Sequence, residues 1–226
     1  ELLEQALERR RIRSPGAQDA GGAVVVLNAR TGAVLAAASA PTFDPNAFNK
    51  GLSAEEWKAL TSNPRAPLIN RAIRGQYAPG STFKMVVALA ALEKGIINPK
   101  SNFFCTGSLE LGDTKFHCWE RGGHGRMNLH SAIAQSCDVY FYEVARRTGV
   151  DRIAAMARRL GLGQTLGLEL PGERRGLIPT RDWKMATIGT PWQKGETMLS
   201  GIGQAYLLVT PLQLAVMTAR IVNGGF

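Results

Sequence analysis

The sequence predicts an α+β fold with helices gathered around an antiparallel sheet, and three observations carry that expectation. Two apolar runs flank a turn-rich connection, at least five segments show helical patterning with marked ends, and 226 residues at 45% hydrophobic content can bury a substantial core. Taken in order, Glu1–Arg13 reads as a charged helix and Ser14–Gly22 as the loop that ends it. This sets an N-terminal helix and linker over 1–22 ahead of the main domain over 23–226. Ala23–Leu27 and Ala33–Ala38 read as adjacent antiparallel strands joined through Asn28–Gly32. Ser53-Ala54-Glu55-Glu56 opens a short helix, and longer helices are predicted over Ser81–Lys94, Asn128–Gln135, Val139–Thr148, Asp151–Leu160 and Thr210–Val222. The last has Thr210 as N-cap, Pro211 at its first helical position and Asn223-Gly224-Gly225 as its stop. Two strands are too few to support so many helices, so more strand is expected beyond Phe226.

The net charge of +9 implies attraction to anionic surfaces, although the cations are scattered apart from Arg9-Arg10-Arg11 and Arg13. No nucleic-acid motif, repeat or low-complexity segment occurs. No stretch approaches a membrane span and no signal peptide is present, so the chain as written reads as soluble.

The chemistry concentrates at Ser81-Thr82-Phe83-Lys84, which follows the turn residues Pro79-Gly80 and precedes the apolar run Met85–Leu92. This places Ser81 at the N-terminus of a helix ended by Gly95. Residues three apart share a helix face, so the Lys84 amine can reach the Ser81 hydroxyl proton, provided that the surrounding Met85, Val86, Val87 and Ala88 lower its pKa. The free N–H groups of the helix start would favour an oxyanion formed when Ser81 attacks a carbonyl. A core helix with a serine cap and a solvated lysine would produce the same tetrapeptide. A second polar triplet, Ser136-Cys137-Asp138, lies between two helical segments. On local grounds Asp138 caps the helix that begins at Val139 and Ser136 ends the previous one, a reading compatible with a catalytic role as well.

Ser-x-x-Lys followed by a Ser-x-Asn-like triplet is the two-part signature of penicillin-interacting serine enzymes. Several blocks resemble the transpeptidase domain of the penicillin-binding protein 2 family, the elongation-specific class B penicillin-binding proteins. They are Gly75-Gln76-Tyr77-Ala78-Pro79-Gly80-Ser81-Thr82-Phe83-Lys84, Thr42-Phe43-Asp44-Pro45-Asn46 after the hairpin, Gln135-Ser136-Cys137-Asp138-Val139-Tyr140-Phe141-Tyr142, Leu170-Pro171-Gly172-Glu173, and Gly203-Gln204 with Leu207–Pro211. The resemblance covers nearly the whole chain. It implies the penicillin-binding protein/β-lactamase-like fold and a serine D,D-transpeptidase that cross-links peptidoglycan stem peptides ending in D-Ala-D-Ala. It also implies a bacterial inner-membrane protein facing the periplasm, acting with a membrane-embedded glycan polymerase and other elongation proteins, and inhibited by β-lactams. Carried over, Ser81 is the nucleophile that forms an acyl-enzyme, Lys84 its base, Ser136 the proton relay, and Asp138 the residue that positions Ser136 or the substrate or pairs with Lys84. The Ser81 N–H would supply half of an oxyanion hole, whose loss costs about 3 kcal/mol of barrier. Two departures stand out: Asp138 replaces the asparagine of many relatives, and no Lys-Thr-Gly-like third motif follows Ser136. The domain therefore reads as truncated before that motif, and the chain alone is expected to acylate poorly. A β-lactam-hydrolysing or β-lactam-sensing relative and a non-catalytic scaffold of the elongation machinery stand as alternatives.

Cys105, Cys118 and Cys137 fall in one region with His117 and His124 between them. Cys105, Cys118, His124 and Cys137 make a three-thiolate, one-imidazole set suited to structural Zn2+, with His117 as the second-choice imidazole. The family resemblance adds that some relatives carry zinc in this loop. A Cys105–Cys118 disulfide with Cys137 buried as a small apolar residue is the other reading. Nothing implies an organic cofactor. Arg71 and Arg74 are loop cations that could meet a substrate carboxylate, Trp119 and Tyr140 read as cleft wall, and Arg146-Arg147 and Arg158-Arg159 read as solvated helix faces.

Overall fold

The computed structural model describes Gln5 and residues 21–225. The predicted charged helix and its linker fall almost wholly outside those residues. In chain order the described elements are β1 (Gly22–Leu27), β2 (Val34–Ala40), α1 (Asn46–Lys50), α2 (Ala54–Thr61), α3 (Arg71–Arg74), a 3-10 turn (Gly80–Phe83), α4 (Lys84–Glu93), β3 (Phe103–Cys105), β4 (Ser108–Leu111), β5 (Thr114–His117), β6 (Gly125–Met127), α5 (Leu129–Ala134), α6 (Asp138–Thr148), α7 (Val150–Arg159), α8 (Arg181–Ile188), α9 (Lys194–Gly201) and α10 (Pro211–Val222). They fall into two compact units. The first takes the described residues up to Gln76 with Thr165–Arg175 and the chain from Thr210 onward. The second comprises Tyr77–Gln164 and Gly176–Val209.

In the first unit, β1 and β2 form the expected antiparallel hairpin, with Val24 opposite Ala38 and Val25 opposite Ala37 and a bulge at Val26/Leu27. Strand alternation turns Ala23 and Val25 toward a small core of Ala72, Ile73 and Leu212, whereas Val24 and Val26 face outward. The helix α10 carries its predicted cap: the Thr210 side chain accepts from the Gln213 N–H, and Pro211 sits at the start. Arg71 is not a free loop cation. It is buried, and its guanidinium donates to the Ala66 carbonyl at 3.1 Å and to the Arg65 carbonyl, so it ties its own loop together.

The second unit is built on α6, which is buried along most of its length and packs against α4, α7 and α9. Phe83, Val86 and Val87 on one side and Tyr140, Phe141, Ile153 and Met198 on the others are all nearly inaccessible, where α4 packs on α6 and α7 and where α9 packs on α6. Burial of aromatic and branched side chains at roughly 1.5–3 kcal/mol each fixes the relation of α4 to α6, the two helices that carry the serine and lysine motifs. The sequence expectation of one hairpin is corrected here. Four more short strands lie between Phe103 and Met127, as the pairs β3–β6 and β4–β5. They are three or four residues long and bear Gly, Lys, Arg and His, which hides any period-2 apolar signal.

Candidate active site

Ser81 lies in the 3-10 turn rather than at a helix N-cap. The cap residue is Pro79, already in helical conformation and lacking a side-chain cap, so the Ser81 hydroxyl is free to point elsewhere. The turn is anchored by the Gly80 N–H, which donates to the Gly203 carbonyl at 3.0 Å, and by the Thr82 hydroxyl, which donates to the Pro79 carbonyl at 2.7 Å. Gly203 has φ +73°, and a Cβ there would stand 2.0 Å from the Gly80 carbonyl oxygen, so only glycine allows this approach.

Ser81, Lys84, Ser136 and Asp138 converge in the second unit. Lys84 Nζ donates to the Ser136 carbonyl at 2.8 Å, to Ser136 Oγ at 2.9 Å and to Asp138 Oδ1 at 2.6 Å. These three acceptors match the three donors of an ammonium group. Ser136 Oγ then donates to Ser81 Oγ at 2.9 Å. The direct Lys84–Ser81 contact expected from helical spacing is therefore replaced by a route through Ser136. The physical reason is the location of Ser136 between α5 and α6 with φ +52°, a left-handed conformation costing roughly 1–2 kcal/mol in a non-glycine residue. That backbone is held by Lys84 Nζ donating to the Ser136 carbonyl and by the Ser136 N–H donating to the Ile133 carbonyl at 3.1 Å. Asp138 opens α6 as its first residue and spends its carboxylate outside the helix, so it is not the cap of a helix beginning at Val139.

Trp119, read from sequence as cleft wall, contributes more than a wall. Its main-chain N–H donates to Asp138 Oδ2 at 2.9 Å, and its indole N–H reaches the Gln135 and Ser136 carbonyls, each at 3.1 Å. Both carboxylate oxygens of Asp138 are thus occupied. The sequence signal for Trp119 was only its proximity to Cys118. The ring is 60% exposed, so burial alone cannot account for its place here.

The loop before Trp119 carries the cysteine and histidine set. Donor atoms of Cys105, Cys118, His124 and Cys137 all lie within 4.8 Å of one another. His124 Nδ1 stands 3.5 Å from Cys118 Sγ and 3.7 Å from Cys105 Sγ. A tetrahedral zinc with bonds of about 2.0–2.3 Å requires ligand separations of about 3.5–3.8 Å, which the two His124 distances match, and three thiols with one imidazole are a donor set that suits such an ion. The strand pair β3–β6 opposes Cys105 to Gly125, and the Cys118 N–H donates to the Gly107 carbonyl at 2.8 Å. Gly123, φ +82°, makes the crossing possible, since a Cβ there would lie 2.3 Å from the Cys105 carbonyl oxygen. No disulfide joins these cysteines, which corrects the Cys105–Cys118 alternative, and His117 stands outside the cluster. Burial, followed by the neighbouring thiols, pushes the Cys137 thiol well up, a bias that a bound cation would oppose.

Residues 22–226 match the penicillin-binding protein transpeptidase domain, and the chain belongs to that family. It is 43% identical over 206 residues to the peptidoglycan D,D-transpeptidase MrdA of Acinetobacter baumannii, covering 90% of this chain and 31% of that protein. It is similar to PBP2 of Pseudomonas aeruginosa, seen in a crystal structure with WCK 5153, at a TM-score of 0.89 and 42% identity over 99% of this chain and 48% of the other. PBP2 of Helicobacter pylori in its complex with MreC has a TM-score of 0.87 at 36% identity, over 90% of this chain and 38% of that one. The chain therefore spans less than a third of the curated relative, 31% of its length.

Proposed function

We propose that the complete protein is a peptidoglycan D,D-transpeptidase, acylated at Ser81 by stem peptides ending in D-Ala-D-Ala and by β-lactams. The observation that carries this reading is the unbroken series Ser81–Ser136–Lys84–Asp138, with links of 2.9, 2.9 and 2.6 Å. In the reacting form Lys84 is a neutral amine that keeps its two N–H donors on the Ser136 carbonyl and Asp138, and the two hydroxyls turn so that Ser81 Oγ donates to Ser136 Oγ and Ser136 Oγ to Lys84 Nζ. The Ser81 proton then passes to Ser136 Oγ as the Ser136 proton passes to Lys84 Nζ. The Ser81 oxygen attacks the carbonyl of the penultimate D-alanine, and the C–N bond to the terminal D-alanine breaks as Ser136 returns a proton to the leaving amine. The same relay accepts a proton from the acceptor amine when the acyl group is transferred. Asp138 holds the lysine in place, and its second oxygen ties it to Trp119.

Membership of the family, and the named activity of the Acinetobacter relative, support this chemistry. The Helicobacter PBP2–MreC complex supports assembly with a partner protein of that kind, and the named cell-wall activity of the Acinetobacter relative supports a domain that faces the periplasm. Among the described residues, no helix is long and apolar enough to cross a membrane. The test is labelling of the full-length protein with a fluorescent penicillin. Stable label at Ser81, abolished by Ser81→Ala, is expected. Absence of label sinks the enzyme reading in favour of a scaffold, and rapid loss of label with hydrolysed penicillin favours a lactamase.

Cys105, Cys118, His124 and Cys137 would hold a structural Zn2+ that braces the loop carrying Trp119 and the segment carrying Ser136 and Asp138. Freshly purified protein should contain about one zinc per chain, lost with Cys118→Ser, and chelation should lower Tm. Wild-type protein purified without zinc would overturn this assignment.

A further inference from the structure

A second candidate site lies in the second unit, and its lining includes no residue of the serine centre or the cysteine cluster. A cavity of about 700 Å³ opens between α6, α8 and α9, lined by Arg146, Arg181, Asp182, Met185, Trp192 and Lys194 among others. We propose that it binds an acidic peptide segment of a partner protein, one that places an apolar side chain beside its carboxylates. This goes beyond the transpeptidase reading and does not depend on it.

Charge and shape both point to that ligand. Three cations face one carboxylate, Asp182, and each retains hydrogen-bonding capacity. Arg146 uses Nε and Nη2 on Glu143, at 2.9 and 2.8 Å, leaving Nη1 without a described partner. Arg181 meets Asp151 at 3.4 Å through Nε alone and is 66% exposed. The Lys194 side chain makes no ion pair or hydrogen bond among the described residues and is exposed. The three stand on three separate helices, an arrangement that suits carboxylates spaced along a chain better than one compact polyanion, and the Nη1/Nη2 edge of Arg181 matches carboxylate geometry.

Beside them lies an apolar plate. The Trp192 indole N–H donates to Thr197 Oγ1 at 2.7 Å, so the ring is pinned with its polar edge already used, and it tilts against Tyr206 at 6.0 Å. Met185 is 51% exposed and offers an adaptable thioether surface. The volume lies within the range of about 300–1,000 Å³ typical of ligand pockets and leaves room for a few residues of peptide.

The experiment uses the full-length protein and fluorescein-labelled Asp-Phe-Glu-Leu-Asp, followed by fluorescence anisotropy. Saturable binding is expected, weakened about tenfold or more by the double variant Arg181→Glu/Lys194→Glu and weakened again by raised salt. Both replaced side chains are exposed, and unchanged penicillin labelling of the variant shows that its fold is intact. If wild type binds peptide but takes no penicillin, only the transpeptidase reading fails. Absence of saturable peptide binding, equal binding of Asn-Phe-Gln-Leu-Asn, or unchanged binding by the double variant overturns the site. Displacement by inorganic phosphate at equal concentration also overturns it, as a general anion pocket.

Discussion

Lys84 and Lys184 are both almost wholly buried, and both hold a carboxylate closely: Asp138 at 2.6 Å and Glu196 at 2.5 Å. They lie in the same compact unit, and local inspection does not separate them. Their remaining contacts do. Lys84 gives its other two donors to Ser136, whose hydroxyl continues to the exposed Ser81. Lys184 gives a second donor to the Pro191 carbonyl, and Glu196 is closed off by the Tyr206 hydroxyl at 2.8 Å and the Gln193 N–H at 2.7 Å. One network ends on the proposed nucleophile and the other ends on itself. A buried lysine pair can serve the proposed chemistry only when its spare donor leads on to an exposed hydroxyl.

The sharpest way to break this comparison is to replace each lysine by methionine, which keeps the length and removes the charge. Lys84→Met should slow penicillin acylation by about 10²–10⁴-fold. Lys184→Met should leave acylation within a factor of about two while lowering stability in a denaturant melt by about 3 kcal/mol, since Glu196 is left partly buried without its partner. Equal slowing by both variants would erase the distinction. A smaller effect is expected from Trp119→Phe, which keeps the main-chain bond to Asp138 but loses the indole donor to the Ser136 carbonyl. A hydrogen bond of about 1 kcal/mol corresponds to acylation slowed about fivefold with Tm nearly unchanged, whereas a large fall in Tm with unaltered acylation would make Trp119 merely structural.

The smallest effect is on pH dependence. Burial alone would raise the Glu196 carboxyl, but the Lys184 hydrogen bond, with help from the Gln193 N–H and Tyr206, outweighs it and holds the group below its ordinary 4.5. A folded value below the unfolded one means that this stabilisation is present above about pH 4.5 and is lost as pH falls through the folded value. Glu196→Gln should therefore flatten the acid limb of a Tm–pH curve. An unchanged limb would assign the acid sensitivity elsewhere, with Glu143 the next group to replace. Burial would raise Glu143 too, but Arg146 and Arg147 hold it low.

Legibility differed by element. The five longer helices are readable from their apolar periodicity, and the cap expected at Thr210-Pro211 is present, whereas Ser81 and Asp138 do not cap the helices that their positions suggest they start. Helices α8 and α9 were not. Lys194–Gly201 includes two glycines and exists because it packs on α6, with Gly195 close to the Phe116 ring. Ser81 and Lys84 were readable from their spacing and lead-in, and Ser136 and Asp138 from their motif. The part played by Trp119 was not, because its contacts to Asp138 and Ser136 join chain segments 16–19 positions apart and leave no local trace.

By itself the sequence determined the family, the residues of the serine and lysine motifs and the donor set of the cysteine cluster, since these depend on residue type and order. Tertiary structure alone decided that Lys84 reaches Ser81 through Ser136, that Ser136 is held in a left-handed backbone, and that Trp119 occupies the second oxygen of Asp138. It also decided that Lys184 is closed off from any nucleophile. The reason is directional: a hydrogen bond needs its partner within about 3 Å and aligned, and only the packing of α4 against α6 fixes positions that finely.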